Sequence, residues 1–100
     1  MSDIMNQIQL KLDEKGRGTF YYEENGEQVG EMVVSVDRNN VAVYHTEVNP
    51  EMEGKGIAHA LLDKMTEYAR NHHLKVIPFC PYVHAQFKRH PELYNDIWNR

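Results

Sequence analysis

An α/β fold is predicted for this 100-residue chain: a four-strand antiparallel meander, one long helix, a parallel fifth strand and short C-terminal helices. Three observations predict it. The first half alternates apolar and polar residues with period two, interrupted by short polar turns. The second half switches to the 3.6-residue period of an amphipathic helix. That helix connects the fourth strand to the fifth, and a crossover of this kind joins parallel strands.

Each element follows in order. Ile8, Leu10 and Leu12 alternate with Gln9 and Lys11, the period of a half-buried strand. Gly16-Arg17-Gly18 marks a turn. Thr19 to Glu23, rich in Thr, Phe and Tyr, is the second strand. Asn25-Gly26 is a strong hairpin signal, and Val29 to Val36 follows it. Beyond the polar turn Asp37–Asn40, Val41 to Val48 is the fourth strand. Strict alternation places Ala42, Tyr44, Thr46 and Val48 on one face and Val41, Val43, His45 and Glu47 on the other. Ala58, Leu61, Leu62, Met65, Tyr68 and Ala69 form the helical stripe, which ends near Asn71-His72-His73. Leu74 to Phe79 is a short buried strand. Pro78 and Pro81 restrict the backbone around Cys80, and Val83 and Phe87 mark a further helical turn or two. His90-Pro91 ends it, and Pro91 starts a last helix in which Tyr94 and Trp98 stack at i, i+4.

Composition bounds the function. Hydrophobic residues make up 41% and charged residues 26%, which is globular and not disordered. The size is that of a single domain spanning residues 1–100. A net charge of -4 opposes a phosphate-backbone binder, so no nucleic-acid partner is expected. A lone cysteine, no apolar leader and no stretch of transmembrane length point to a cytoplasmic protein away from membranes. Cys80 with scattered histidines matches no zinc spacing, so no metal is expected. A monomer or weak homodimer is expected.

Between the fourth strand and the helix lies Glu51-Met52-Glu53-Gly54-Lys55-Gly56. Glycines let several backbone N–H groups turn inward with no Cβ in the way. These join the unpaired donors of a helix start, aligned with its dipole, and make a ready anion site. Lys55 adds a positive charge. The Gly-Lys pair lacks the spacer and Ser/Thr of a P-loop, and only two of the three dinucleotide-fingerprint glycines are present. An ordinary tight loop is the plain alternative.

Glu53-Gly54-Lys55-Gly56-Ile57-Ala58 resembles the Q/R-x-x-G-x-G/A motif of GNAT acetyltransferases, with Glu53 at the Gln/Arg position. Three segments are similar to the small, shortened members of that family. They are His45-Thr46-Glu47-Val48, the Gly loop with its helix, and Pro78-Phe79-Cys80-Pro81-Tyr82 followed by His90–Tyr94. The resemblance runs roughly from Thr19 to Ile97.

It implies a GNAT sheet with acetyl-CoA, or CoA, where strands four and five splay apart. The pyrophosphate would meet the amides of Gly54, Lys55, Gly56, Ile57 and Ala58, beside Glu53, and the pantetheine would pair near Glu47 and Val48. The acceptor would be an unidentified small-molecule or protein amine. Glu51 and Glu53, each about 7 Å from a phosphate, would oppose it by roughly 0.6 kcal/mol before screening, and Lys55 cancels about one such contribution. Weaker, salt-dependent CoA binding is therefore expected.

Cys80 reads either as a small buried hydrophobe or as a thiol near the acyl group, where the matching cysteine of similar proteins lies. His45 and Glu47 share a face and read either as a base with its orienting partner or as a polar pair. Tyr82 or Tyr94 would protonate a departing CoA thiolate, as a tyrosine does in many GNAT enzymes. Two functions follow: an N-acetyltransferase, or a non-catalytic acyl-CoA binding or sensing module. The short link Lys15–Gly18, where a full GNAT carries acceptor-shaping helices, favours the second.

Overall fold

The computed structural model describes residues 4–100. A short helix α1 (Ile4–Gln7) leads into β1 (Gln9–Leu12), β2 (Arg17–Glu24), β3 (Glu27–Val36) and β4 (Asn40–Val48). A 3-10 turn (Pro50–Met52) and the Gly loop precede α2 (Ile57–Asn71). Then come β5 (Lys75–Pro78), α3 (Pro81–Arg89) and α4 (Pro91–Tyr94). The sheet order is β1-β2-β3-β4-β5, with β1 to β4 antiparallel and β5 parallel to β4. This is the predicted α/β architecture. The fifth strand is shorter than the apolar run Leu74 to Phe79 suggests, because Pro78 has no N–H to continue the ladder.

Hairpin chemistry sets the register. Asp37 Oδ1 accepts from the N–H groups of Asn39 (2.8 Å) and Asn40 (2.7 Å), closing the β3–β4 turn. Asp13 Oδ1 does the same for Lys15 (2.8 Å) and Arg17 (3.0 Å) between β1 and β2. These bonds favour the charged carboxylate, and both groups lie below their ordinary values. Asn25, at φ 54, and Gly26, at φ 81, supply the left-handed pair of the β2–β3 turn.

The four helices share one face of the sheet. Phe20, Met32, Val34, Val41, Val43 and Val76 are buried there against Leu61, Leu62 and Met65 of α2. The rings of Phe20 and Tyr68 meet edge-on at 5.7 Å. Val83 and Phe87 of α3 join the same core. The helix α4 is tied to α2 by Arg70, which donates to both carboxylate oxygens of Asp96 (2.9 and 3.1 Å) and to the Leu93 carbonyl (2.6 Å). The other face has alternate residues that are only half-buried or exposed, among them Thr19, Val33, Ser35, Ala42 and Ile77, and no described helix covers it. No described helix is long and apolar enough to cross a membrane.

Two expectations are corrected. The alternation of β4 is broken at Tyr44. Val33 pairs with His45 but Val34 pairs with Val43, so Tyr44 is an extra residue, a β-bulge. Cross-strand partners share a face. Thr46 and Val48, opposite Met32 and Gly30, therefore lie on the helix face with Val41 and Val43, while His45 and Glu47 lie on the open face. The second correction concerns the C-terminus. The helix α4 stops at Tyr94, so Trp98 lies beyond it, and the rings of Tyr94 (4.6 Å) and Trp98 (5.6 Å) both pack on Phe87. Trp98 instead sits in a parallel bridge to Val76, on the outer edge of β5.

Candidate functional site

The bulge lies where the sheet opens. The β4–β5 ladder ends at Val43 opposite Pro78, and the Cys80 N–H donates to the Val43 carbonyl at 2.8 Å. Beyond that bond α3 turns away and β4 continues with β3 alone beside it. Asn49 N–H bonds the Val29 carbonyl (2.8 Å), so alternation turns the backbone groups of Thr46 and Val48 toward the gap left by β5. The result is a fork with an unpaired strand edge on one side.

The Gly loop closes the wide end of this fork. Asn49 caps the 3-10 turn by accepting from the Glu51 N–H at 3.2 Å. Gly54 (φ 84) and Gly56 (φ 81) then take left-handed conformations. A side chain at φ near +80° strains an L-residue, so glycine suits both places. Gly56 is the N-cap of α2 and makes no side-chain cap bond. The N–H groups of the first turn, Ile57, Ala58 and His59, are the donors that an α-helix start leaves without intrahelical partners.

Gly30 lets the helix start approach the sheet. A Cβ there would sit 2.6 Å from Ile57 Cγ2 and 3.6 Å from Leu61 Cδ1. Gly30 is not among the residues predicted for the site. A lone glycine inside a strand pattern is the signal that would have found it, since it marks a close approach.

A cleft of about 280 Å³ occupies the fork, lined by Val48, Met52, Glu53, Gly54, Gly56, Ile57, Ala58, His59 and Tyr82. Most of the predicted binding residues thus meet in one place, together with Tyr82 from α3. Met52 and His59 are additions; His59 Nε2 lies 3.4 Å from Asp63 Oδ2. Lys55 is exposed on the loop and does not line the cleft. Burial, with the neighbouring Tyr94, Asp63 and Cys80, raises the Tyr82 hydroxyl above its ordinary value, so it holds its proton at neutral pH. Tyr94 is 4% exposed and stacked on Phe87, which makes it a core residue and leaves Tyr82 as the tyrosine at the cleft.

The remaining predicted residues are split. Cys80 is 2% exposed at the apex of the fork, with its Sγ 3.3 Å from Thr46 Oγ1. His45 and Glu47 are paired at 3.3 Å, but on the open face and not in the cleft. Among the described residues no three of His, Cys, Asp or Glu gather as a metal-ligating group.

A mixed sheet that forks beside a Gly loop and a bare helix N-terminus defines an α/β domain in which the loop amides, the cleft and the unpaired edge of β4 adjoin. Comparison with known families makes this specific. Residues 19–97 match the model of the GCN5-related N-acetyl-transferase family, and the chain belongs to that family. No curated protein sequence matches. Solved structures are similar. A GCN5-like protein from Staphylococcus aureus superposes with TM-score 0.67 at 26% identity, over 93% of this chain and 89% of that one. Ribosomal-protein-alanine N-acetyltransferase from Brucella melitensis biovar Abortus 2308 gives 0.61 at 22% identity, over 82% of this chain. The present chain spans 66% of the Brucella protein. Nourseothricin acetyltransferase gives 0.54 at 31% identity, over 66% of this chain and 41% of that one.

Proposed function

We propose that this chain is an acetyl-CoA-dependent N-acetyltransferase acting on an amine. The observation that carries this reading is the continuity of the Gly-loop amides, the cleft and the unpaired edge of β4, inside a chain of this family. In this reading the pyrophosphate lies on the amides of Gly54 to Ala58, with the pantetheine along Thr46 and Val48. The thioester then lies at the fork, near Cys80 and Tyr82.

The chemistry has three proton movements. The acceptor arrives as an ammonium ion and gives up a proton, for which His45, oriented by Glu47, is the nearby base on the open face. The free amine attacks the thioester carbonyl, the C–S bond breaks, the CoA thiolate takes the Tyr82 proton, and the acetylated nitrogen returns its surplus proton to the Tyr82 oxygen. The products are the acetamide and CoA thiol. Cys80 lines the apex in this route. A covalent route would place the acetyl group on its sulfur first, with loss of CoA.

A second reading is a non-catalytic acyl-CoA binding module. It is favoured by the burial of Cys80 and by His45 and Glu47 facing away from the cleft. Thermal unfolding with CoA, acetyl-CoA and ATP tests binding, because a ligand of the folded state raises stability with concentration. No shift with either CoA species would sink both readings. Intact-mass analysis after exposure to acetyl-CoA, with Cys80→Ala as control, tests the covalent route. If acetyl-CoA binds and no amine in a panel is acetylated, the binding module is the correct reading.

A further inference from the structure

The cleft stops short of the apex of the fork. Val48 borders it on β4, and Tyr82 borders it on α3. Thr46 shares a face with Val48 and lies two residues nearer the apex, about 7 Å along the strand. There its Oγ1 meets Cys80 Sγ at 3.3 Å, so the two prongs of the fork touch. Atoms in contact leave no passage for a carbon chain between them.

Cys80 is held on both sides. Its N–H donates to the Val43 carbonyl (2.8 Å), and its carbonyl accepts from the His84 N–H (2.9 Å). Pro81 follows it and favours its extended conformation, at φ -67° and ψ 126°. It is the N-cap of α3, yet its side chain makes no cap bond and reaches β4 instead. Thr46 is constrained as well. It is β-branched, half-buried and paired across the sheet with Met32. The residues next to the pair, Met32 and Val43 on the sheet and Val83 on α3, are fully buried. A wall built from close-packed, stiff side chains relaxes little when a larger group presses on it.

We infer that the Thr46–Cys80 contact measures the acyl group: it admits acetyl and excludes propionyl and longer chains. A pantetheine paired along the edge of β4 brings its thioester up to this wall, so the acyl carbons meet Thr46 and Cys80 first. Both residues determine specificity through shape, and no bond to the cysteine sulfur is needed. The inference rests on the acetyl-CoA reading above and names its donor more narrowly.

The test is calorimetric titration of the protein with CoA, acetyl-CoA, propionyl-CoA and butyryl-CoA. Propionyl-CoA should bind more weakly than acetyl-CoA by about 10- to 200-fold, the discrimination one methylene allows in an apolar pocket. Butyryl-CoA should bind no better than propionyl-CoA. Cys80→Ala removes the sulfur from the wall and should bring propionyl-CoA level with acetyl-CoA. Thr46→Ala, at the half-buried prong, should do the same and keeps the test open if the buried variant folds poorly. CoA carries no acyl group to measure, so both variants should bind it as the wild type does. That control separates a reshaped apex from a lost fold. Equal affinity for the three acyl-CoA species in the wild type would mean that the acyl chain leaves by another path. That result would overturn the inference, and so would an acetyl preference that both variants keep. Failure of CoA and of every acyl-CoA to bind would overturn the acetyl-CoA reading itself, whereas bound CoA with a flat acyl series would overturn the gauge alone.

Discussion

Replacing Gly30 with alanine places one methyl group between β3 and the start of α2. The new Cβ would sit 2.6 Å from Ile57 Cγ2, where carbon atoms prefer about 3.5–4.0 Å. The overlap is about 1 Å. Ile57 cannot swing away cheaply, because a β-branched side chain in a helix has one strongly preferred χ1. The helix start must move, and it carries the loop amides with it. Overpacking of this kind costs about 1–3 kcal/mol. Replacing glycine within a strand returns about 0.5–1 kcal/mol. The net loss is therefore about 0.5–2 kcal/mol, near 5–10 °C in Tm at the middle of that range for a chain of this size. Urea unfolding measures the stability, and CoA titration measures the displacement of the amides. Ile57→Ala removes the clashing methyl. It should cost about 2–5 kcal/mol alone, and less by about 1 kcal/mol when Gly30→Ala is present, a coupling that a double-mutant cycle resolves. A Gly30→Ala protein as stable as the wild type, or a cycle with no coupling, would refute the close-approach reasoning.

Gly56→Ala tests backbone strain without a clash, since a Cβ there meets nothing within 4 Å. At φ 81 it should cost about 1–2 kcal/mol and weaken CoA binding, read by thermal unfolding with and without CoA. Asp13 and Asp37 have native values lowered from 3.8, chiefly by the N–H groups of Arg17 and Asn39 respectively. Their contribution is complete above the unfolded value and is lost as pH falls through the lowered native value. Asp37→Asn should therefore flatten the fall in stability below about pH 4, measured by urea unfolding at a series of pH values. Asp96→Asn leaves Arg70 with one weaker acceptor. Because the pair is partly exposed, the cost should be about 0.5–1 kcal/mol, about 2–8 °C in Tm by calorimetry.

Much of the fold is legible in local sequence because it rests on local rules. Strand period, Asn25-Gly26, Asp37 at its turn and the helical stripe from Ala58 to Ala69 each act within a few residues. The element order and the parallel fifth strand follow from them. Residues Glu53 to Ala58 could be singled out as a candidate loop because glycine before a helix has a local physical meaning. Other features are non-local. The bulge at Tyr44 exists only relative to β3, so strict alternation put Thr46 and Val48 on the wrong face of β4 relative to Val41 and Val43. It also put His45 and Glu47 on the face of Val41 and Val43, whereas the bulge turns them to the open face. Nothing near Tyr82 in sequence says that it meets the Gly loop, and nothing near Tyr94 says that it is spent on Phe87. The role of Gly30 depends on a methyl group 27 residues away, at Ile57. By itself the sequence determined the order of elements, their periods and the Gly loop that opens the long helix. Tertiary structure decided which side of the sheet each chemical group occupies, because face and proximity depend on register, and register is a property of two strands.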